Sequence, residues 1–270
     1  MQKPERLISQ PDLEPFYQGV DRYCEEYLTL SPDEEAGAKI FADPVEGYAN
    51  LASWEVALVD TPAFQRLRGI RQLGLAYLIY PTLGYSRFEH TIGVLARLKQ
   101  VVSHIRANHA ERGGPVNLPD LPTEKQFVMA RLAALCHDIG HCVFSHVSEG
   151  VMGKLQGSIA YPSANRITTA LAEYAGRYIP VAETLAVCIV TSPAFIRFLQ
   201  QQGTPHASKP ALARELAFGV AHLIMGLPVP NDPHSLFLAQ LMSSGLDVDK
   251  LDYMLREAHL EMDPEIRTSG

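Results

Sequence analysis

Three histidines, an aspartate and a glutamate fall within thirteen residues of an otherwise apolar stretch, LCHDIGHCVFSHVSE (135–149). A neutral imidazole and a neighbouring carboxylate are both good ligands for a divalent cation, so His137 and Asp138 offer two donors side by side. His137 and His141 are four residues apart, which on a helix places them roughly 40° apart on one face. A lone His-Asp pair has a bland explanation in a chain with ten histidines, and a single core histidine is more often a hydrogen-bonded polar group than a ligand. That explanation leaves the local density unaccounted for, because each polar side chain buried among apolar ones costs a few kcal/mol unless it finds a partner. Two more segments carry candidate groups. In YSRFEHTIGV (85–94), His90 follows Arg87 at the start of an amphipathic run, and in GLDVDKLDYMLREA (245–258), Asp247, Asp249 and Asp252 precede or enter a charged one. Taken singly, Glu89-His90 reads as a helix-start polar pair and the aspartates as N-capping groups.

The elements that must position these groups read as helices. In 91–107, Ile92, Leu95, Leu98, Val102 and Ile105 recur at three- and four-residue steps, and Val94 and Val101 widen the stripe. Segments 124–139, 165–178, 181–201, 210–226, 234–243 and 247–260 have the same character. Thr123 with Gln126 marks one helix start and Pro62 another. Residues 1–35 form an acidic, proline-punctuated extension with one short helix over about 13–28, expected to lie on the main body. No hairpin signal, repeat or low-complexity tract is evident, so the predicted fold class is all-α, a multi-helix bundle over residues 36–270. The 270 residues are 47% hydrophobic and 20% charged, enough for a substantial core. A net charge of −7 argues against coating nucleic acid, although a local basic pocket stays open. Four cysteines without a CxxC pattern suit reduced thiols in a cytoplasmic protein. With no 18-residue apolar run and no basic-then-apolar leader, neither a membrane span nor a secretion signal is expected.

In their order and wording, the segments ADPVEGY (42–48), DTPAFQRLRGIRQLG (60–74), YPTLGYSRFEHTIGV (80–94), LCHDIGHCVFSH (135–146) and GLDVDKLDYMLREA (245–258) resemble the HD-domain metal-dependent phosphohydrolases, within them the dNTP triphosphohydrolase branch. The resemblance implies a helical bundle around a single metal site with His90, His137, Asp138 and Asp249 as ligands. The cofactor it implies is one divalent ion, for which Fe, Mn, Zn, Ni and Mg are all suitable, with a further Mg on the nucleotide. It also implies hydrolysis of a deoxynucleoside triphosphate to deoxynucleoside and inorganic triphosphate. Arg87, Lys250 and Arg256 are the cations that such a phosphate chain calls for, and Tyr253, one turn after Asp249, can donate to a phosphate oxygen. Arg256 pairing with Asp252 at i,i+4, and Tyr253 as a core aromatic with a wet tip, are the alternatives. His141 is the expected proton donor with Glu149 holding its tautomer, His146 reaches the same phosphate, and Gln72 and Leu73 fall where the family contacts the sugar 3′-hydroxyl.

The chain departs from the family pattern in three places. It has no histidine between His146 and His206, where relatives carry a second catalytic histidine; the stretch reads YPSANRITTAL (161–171). Glu46 stands where a histidine is common. The chain stops about ten residues past the last motif, which suits a C-terminally shortened domain. Asp60, Gln65 and Arg68 match residues that read a guanine at a regulatory subunit interface in a mammalian member, and Lys39 matches a neighbouring phosphate contact. Ala42 replaces a polar contact there, and Phe64, Leu67 and Ile70 give the same helix a packing role. A regulatory nucleotide and a homo-oligomer are therefore expected partners alongside the nucleotide substrate. Two other readings remain: an HD phosphatase or phosphodiesterase acting on other nucleotides or nucleic-acid ends, and a nucleotide-sensing protein with weak turnover.

Overall fold

Helix α5, Glu124–Cys136, is buried along most of its length, and three other helices pack on it. The computed structural model describes residues 13–30, 37–112, 122–145, 147, 148, 150, 162–232 and 234–261. Val128, Met129, Leu132, Ala133 and Leu135 of α5 are all buried, each large aliphatic one contributing about 1.5–3 kcal/mol over an exposed position. The helix starts where the sequence predicts: Thr123 Oγ1 accepts from the Gln126 amide and Gln126 Oε1 accepts from the Thr123 amide.

Before α5 come α1 (Glu14–Tyr27), a hairpin of β1 (Lys39–Asp43) and β2 (Gly47–Leu51), α2 (Ser53–Val59), α3 (Pro62–Gln65), a run of 3-10 turns between Arg66 and Leu83, and the long α4 (Arg87–Arg112). After it come α6 (Pro162–Ala175), α7 (Val181–Val190), α8 (Pro193–Gln201), α9 (Pro210–Ile224), α10 (Ser235–Met242) and α11 (Val248–Glu261). α4, α9 and α10 pack on α5, and α11 packs on α4. α1 lies on α7 and α8 through buried Leu13, Tyr17, Cys24 and Leu28. Glu55, fully buried on α2, accepts from Lys99 of α4 and both Nε and Nη2 of Arg131 of α5, and so ties three helices together.

The mostly helical fold matches the expected class, with three local differences. Residues 39–51 form an antiparallel hairpin pairing Lys39 with Leu51 and Asp43 with Gly47, where no hairpin was expected. Its turn is made by Asp43 Oδ1, which accepts from the amides of Val45 and Glu46, and by Gly47 at φ +76°. The predicted helix 181–201 is two helices bent by 57°, because Ser192 caps a new helix at the Phe195 amide and Pro193 has no amide to continue the old one. The predicted helix 124–139 ends at Cys136 with His137 as its C-cap. No single helix among the described residues is long and apolar enough to cross a membrane.

Candidate functional site

Three segments far apart in sequence meet at one point inside the bundle. His90 comes from the first turn of α4, His137 and Asp138 from the end of α5, and Asp249 from the first turn of α11. One ligand atom each of His90, His137 and Asp138 lies within 4.8 Å of the others. Asp249 Oδ1 is 2.8 Å from His90 Nε2 and 4.0 Å from His137 Nε2.

The arrangement fits a divalent cation because of where the imidazole protons are held. His90 Nδ1 is 2.8 Å from Asp252 Oδ2, and His137 Nδ1 is 2.8 Å from the Ala134 carbonyl oxygen. Those acceptors fix the protons on Nδ1 and turn both Nε2 lone pairs inward, the orientation that a metal ligand needs. Both Nε2 atoms are buried without a hydrogen bond of acceptable geometry, a costly state unless a Lewis acid occupies the space between them. Two neutral nitrogens and two carboxylates suit Fe, Mn, Zn, Ni or Mg and do not choose among them. The carboxylates gathered here draw positive charge to this point: burial opposes charging of His90, yet Asp249 and Asp252 push its pKa up to about 10. Burial would raise the Asp138 carboxyl, but Arg87, His137 and His141 hold it well below the usual carboxylate range.

Asp252 belongs to a buried charge network behind His90. Arg256 Nε and Nη2 donate to both oxygens of Asp252, and Nη2 also donates to Asp43 of the hairpin at 2.9 Å. Arg256 is therefore committed to Asp252 and Asp43, the pairing alternative rather than a phosphate contact. Asp252→Asn removes the carboxylate that holds the His90 proton on Nδ1, and a metal titration is expected to show affinity reduced by roughly 10–100-fold.

His137 and His141 do not share a helical face. α5 stops at His137, the chain turns through residues 137–140, and His141 folds back so that its Nε2 is 3.2 Å from Asp138 Oδ1. Arg66 holds this turn by donating to the carbonyls of Ile139 and His141, while its Nε donates to Tyr23 at 2.9 Å. Composition and spacing gave no hint of that role for Arg66.

Arg87, 2% exposed, donates to Asp138 Oδ2 at 2.7 Å and to Ser145 Oγ, so it orients a carboxylate of the site. Lys250 Nζ reaches Asp247 Oδ2 at 2.5 Å and the Ser244 carbonyl at 2.8 Å. Tyr253 is half-buried beside Asp252 on α11. Gln72 and Leu73 precede a 3-10 turn whose Gly74 abuts the backbone of Phe144, and Gln72 Oε1 is buried with no partner. His146 and Glu149 lie outside the described residues. Around α3, Asp60 pairs with Lys39 at 2.6 Å, Arg68 Nε donates to Gln65, and the Arg68 guanidinium covers the Phe88 ring.

Glu183, in the first turn of α7, had no sequence signal beyond being a lone acid in VAETLAVCIV. Its Oε2 is buried without a hydrogen bond, and Arg177 approaches only to 3.8 Å. Burial pushes its pKa up to about 7, against the pull of Arg177 and with the help of Asp249 and Asp138. The folded protein thus holds this proton more tightly than the unfolded chain does, and stability falls as pH rises from the ordinary glutamate range through about 7. Glu183→Gln is expected to stabilise the metal-free protein at pH 8 by about 1 kcal/mol, a value discounted for partial exposure, and to change little at pH 5. Urea midpoints at the two pH values measure the difference.

A family model described as HD domain matches residues 87–173. The putative HD domain-containing protein L394 of Acanthamoeba polyphaga mimivirus is 29% identical over 82% of this chain and 43% of its own length. The deoxynucleoside triphosphate triphosphohydrolase SAMHD1 of Xenopus laevis is 31% identical over 82% of this chain and 34% of its own, and that of Homo sapiens 28% identical over 82% and 33%. The chain spans between a third and just over two fifths of the length of these curated relatives.

Proposed function

From a chain that carries an HD domain and resembles the deoxynucleoside triphosphate triphosphohydrolases, we propose a metal-dependent phosphohydrolase that cleaves deoxynucleoside triphosphates to deoxynucleoside and inorganic triphosphate. The observation that carries this reading is the pair of imidazoles with buried Nε2 atoms, each with Nδ1 committed and Nε2 turned toward Asp138 and Asp249. When bound, a divalent ion supplies Lewis-acid polarisation of a phosphoryl oxygen.

The chain's own residues do the rest. Arg87 holds Asp138 in place and, with Ser145, forms a buried cationic wall beside the site. Lys250 and Tyr253 offer an ammonium and a hydroxyl along the expected path of the phosphate chain, where developing charge must be met by fixed donors. The buried, unpartnered Gln72 Oε1 supports its assignment as the acceptor of a sugar hydroxyl. His141, beside Asp138, gives its proton to the 5′-oxygen as water adds to the α-phosphorus and the phosphorus–oxygen bond breaks. The pairing of Asp60 with Lys39 and of Gln65 with Arg68 gathers these four side chains near α3, where we place the regulatory nucleotide.

The test is a product assay with Mn²⁺ or Mg²⁺ over deoxynucleoside and ribonucleoside triphosphates, monophosphates, cyclic nucleotides and short single strands. Deoxynucleoside plus triphosphate supports the proposal; orthophosphate or mononucleotide would reassign the chain to a phosphatase or phosphodiesterase. His141→Ala is expected to keep its metal while losing about 10²–10⁴-fold in rate, and unchanged turnover would remove His141 as the proton donor.

A further inference from the structure

Far along the same two helices that supply His90 and His137 lies an open cleft. It measures about 330 Å³ and is lined by Lys99, Val102, Ser103 and Arg106 of α4 and by Phe127 and Arg131 of α5, a volume at the lower end of the range for small-molecule sites. Lys99 and Arg106 follow His90 by nine and sixteen residues, which puts them about 14 and 24 Å farther along α4. The cavity is therefore separate from the metal-ligand cluster.

Three cations converge here in a chain whose net charge is −7. Among the described residues, Glu55 answers Lys99 and Arg131 together with one charge, and Arg106 pairs with the exposed Glu124, at 3.0 Å. That sets three cations against two carboxylates. Burial pushes the Lys99 pKa down, and Arg131 adds to this against the pull of Glu55, as expected where cations are in excess. Donors are also left over: among the described residues, Arg131 gives Nε and Nη2 to Glu55, and Arg106 gives Nη2 to Pro122 and Glu124, leaving Nη1 of the first and Nε and Nη1 of the second without a protein acceptor. Both guanidinium groups are held over the Phe127 ring, at 5.0 Å for Arg106 and 5.5 Å for Arg131, so little side-chain freedom remains to be lost on binding.

We infer that this cleft between α4 and α5 is a binding site for an oligophosphate anion, distinct from the metal-ligand cluster. The spacing selects the ligand class. Lys99 and Arg106 leave α4 seven residues, about 10 Å, apart, so a single tetrahedral anion meets both only when the two long side chains bend toward one point. A chain of phosphates spans that distance and offers the bidentate oxygen edges that guanidinium groups prefer. The recognised group is the phosphate chain itself, whether free or carried by a nucleotide.

Trp54 is the sole tryptophan of the chain, and its ring lies 4.6 Å from the Arg131 guanidinium, so its fluorescence is a local reporter of the cleft. The experiment titrates the protein with inorganic triphosphate, a nucleoside triphosphate and orthophosphate at constant ionic strength while following Trp54 emission. Saturable changes with both triphosphates, with orthophosphate at least about tenfold weaker, are expected. Arg106→Glu and Ser103→Glu, both on the open side of α4, should each weaken the response about tenfold or more. His137→Ala, which disables the other site, should leave it intact. A response to the nucleotide but not to inorganic triphosphate overturns the inference, as does one that follows ionic strength alone, survives both charge substitutions, or disappears in His137→Ala.

Discussion

His137→Ala is expected to yield a folded protein that neither retains a metal ion nor hydrolyses its substrate. The side chain stands at the C-cap of α5, 13% exposed, and among the described residues it makes one hydrogen bond from Nδ1 to the Ala134 carbonyl, an edge contact with the His90 ring and the approach to Asp138 and Asp249. Truncation there costs little packing, so circular dichroism and thermal unfolding of the metal-free variant should track the parent. The loss falls on the site, because only His90 then contributes an imidazole to the cluster. Elemental analysis should show less than a tenth of the parent's metal content, and turnover should fall by roughly 10³-fold or more, the scale of several kcal/mol of lost charge stabilisation. Stoichiometric metal in this variant would falsify the ligand assignment.

Gly140→Ala is expected to damage the fold through the same turn. A Cβ at this position would stand 2.0 Å from the Ala182 carbonyl oxygen, 2.7 Å from the Ala186 amide nitrogen and 2.9 Å from Leu185 Cβ. Two of those atoms are backbone of α7, so no side-chain rotation relieves the overlap, and α7 or the 137–141 turn must move. We expect a loss of about 3 kcal/mol or more, read as a fall in melting temperature of roughly 6–12 °C for a chain of this size. Displacing the turn also moves His137 and Asp138, so metal affinity should fall with stability, whereas His137→Ala separates the two.

The same turn shows what local pattern could and could not convey. The density of His137, Asp138 and His141 was visible, and so was the start of α5 at Thr123 and Gln126, because these signals depend on neighbouring residues. The four-residue spacing of the two histidines imitated a helix, but the backbone leaves the helix at His137, where Gly140 admits α7 and Arg66 binds the exposed carbonyls. Arg66 is 75 residues from His141, and nothing local announces such a contact. The hairpin at 39–51 escaped notice because its turn is an aspartate side-chain turn closed by Gly47 rather than a two-residue Asn-Gly or Asp-Gly link. Ser192-Pro193 did carry a helix-start signature, which the continuous apolar character of 181–201 hid. The convergence of Asp249 on His90 came from family resemblance, since spacing within α11 says nothing of which helix it faces.

His90 and Asp249 reach the same point from opposite parts of the sequence, with nearly 160 residues between them. An ion held by both closes that long loop as a reversible cross-link, and the entropy denied to the unfolded chain grows with the logarithm of loop length. Chelation then does more than silence chemistry: it removes one tie between α11 and α4 and leaves the Asp252–His90 and Arg256–Asp43 contacts to hold that helix.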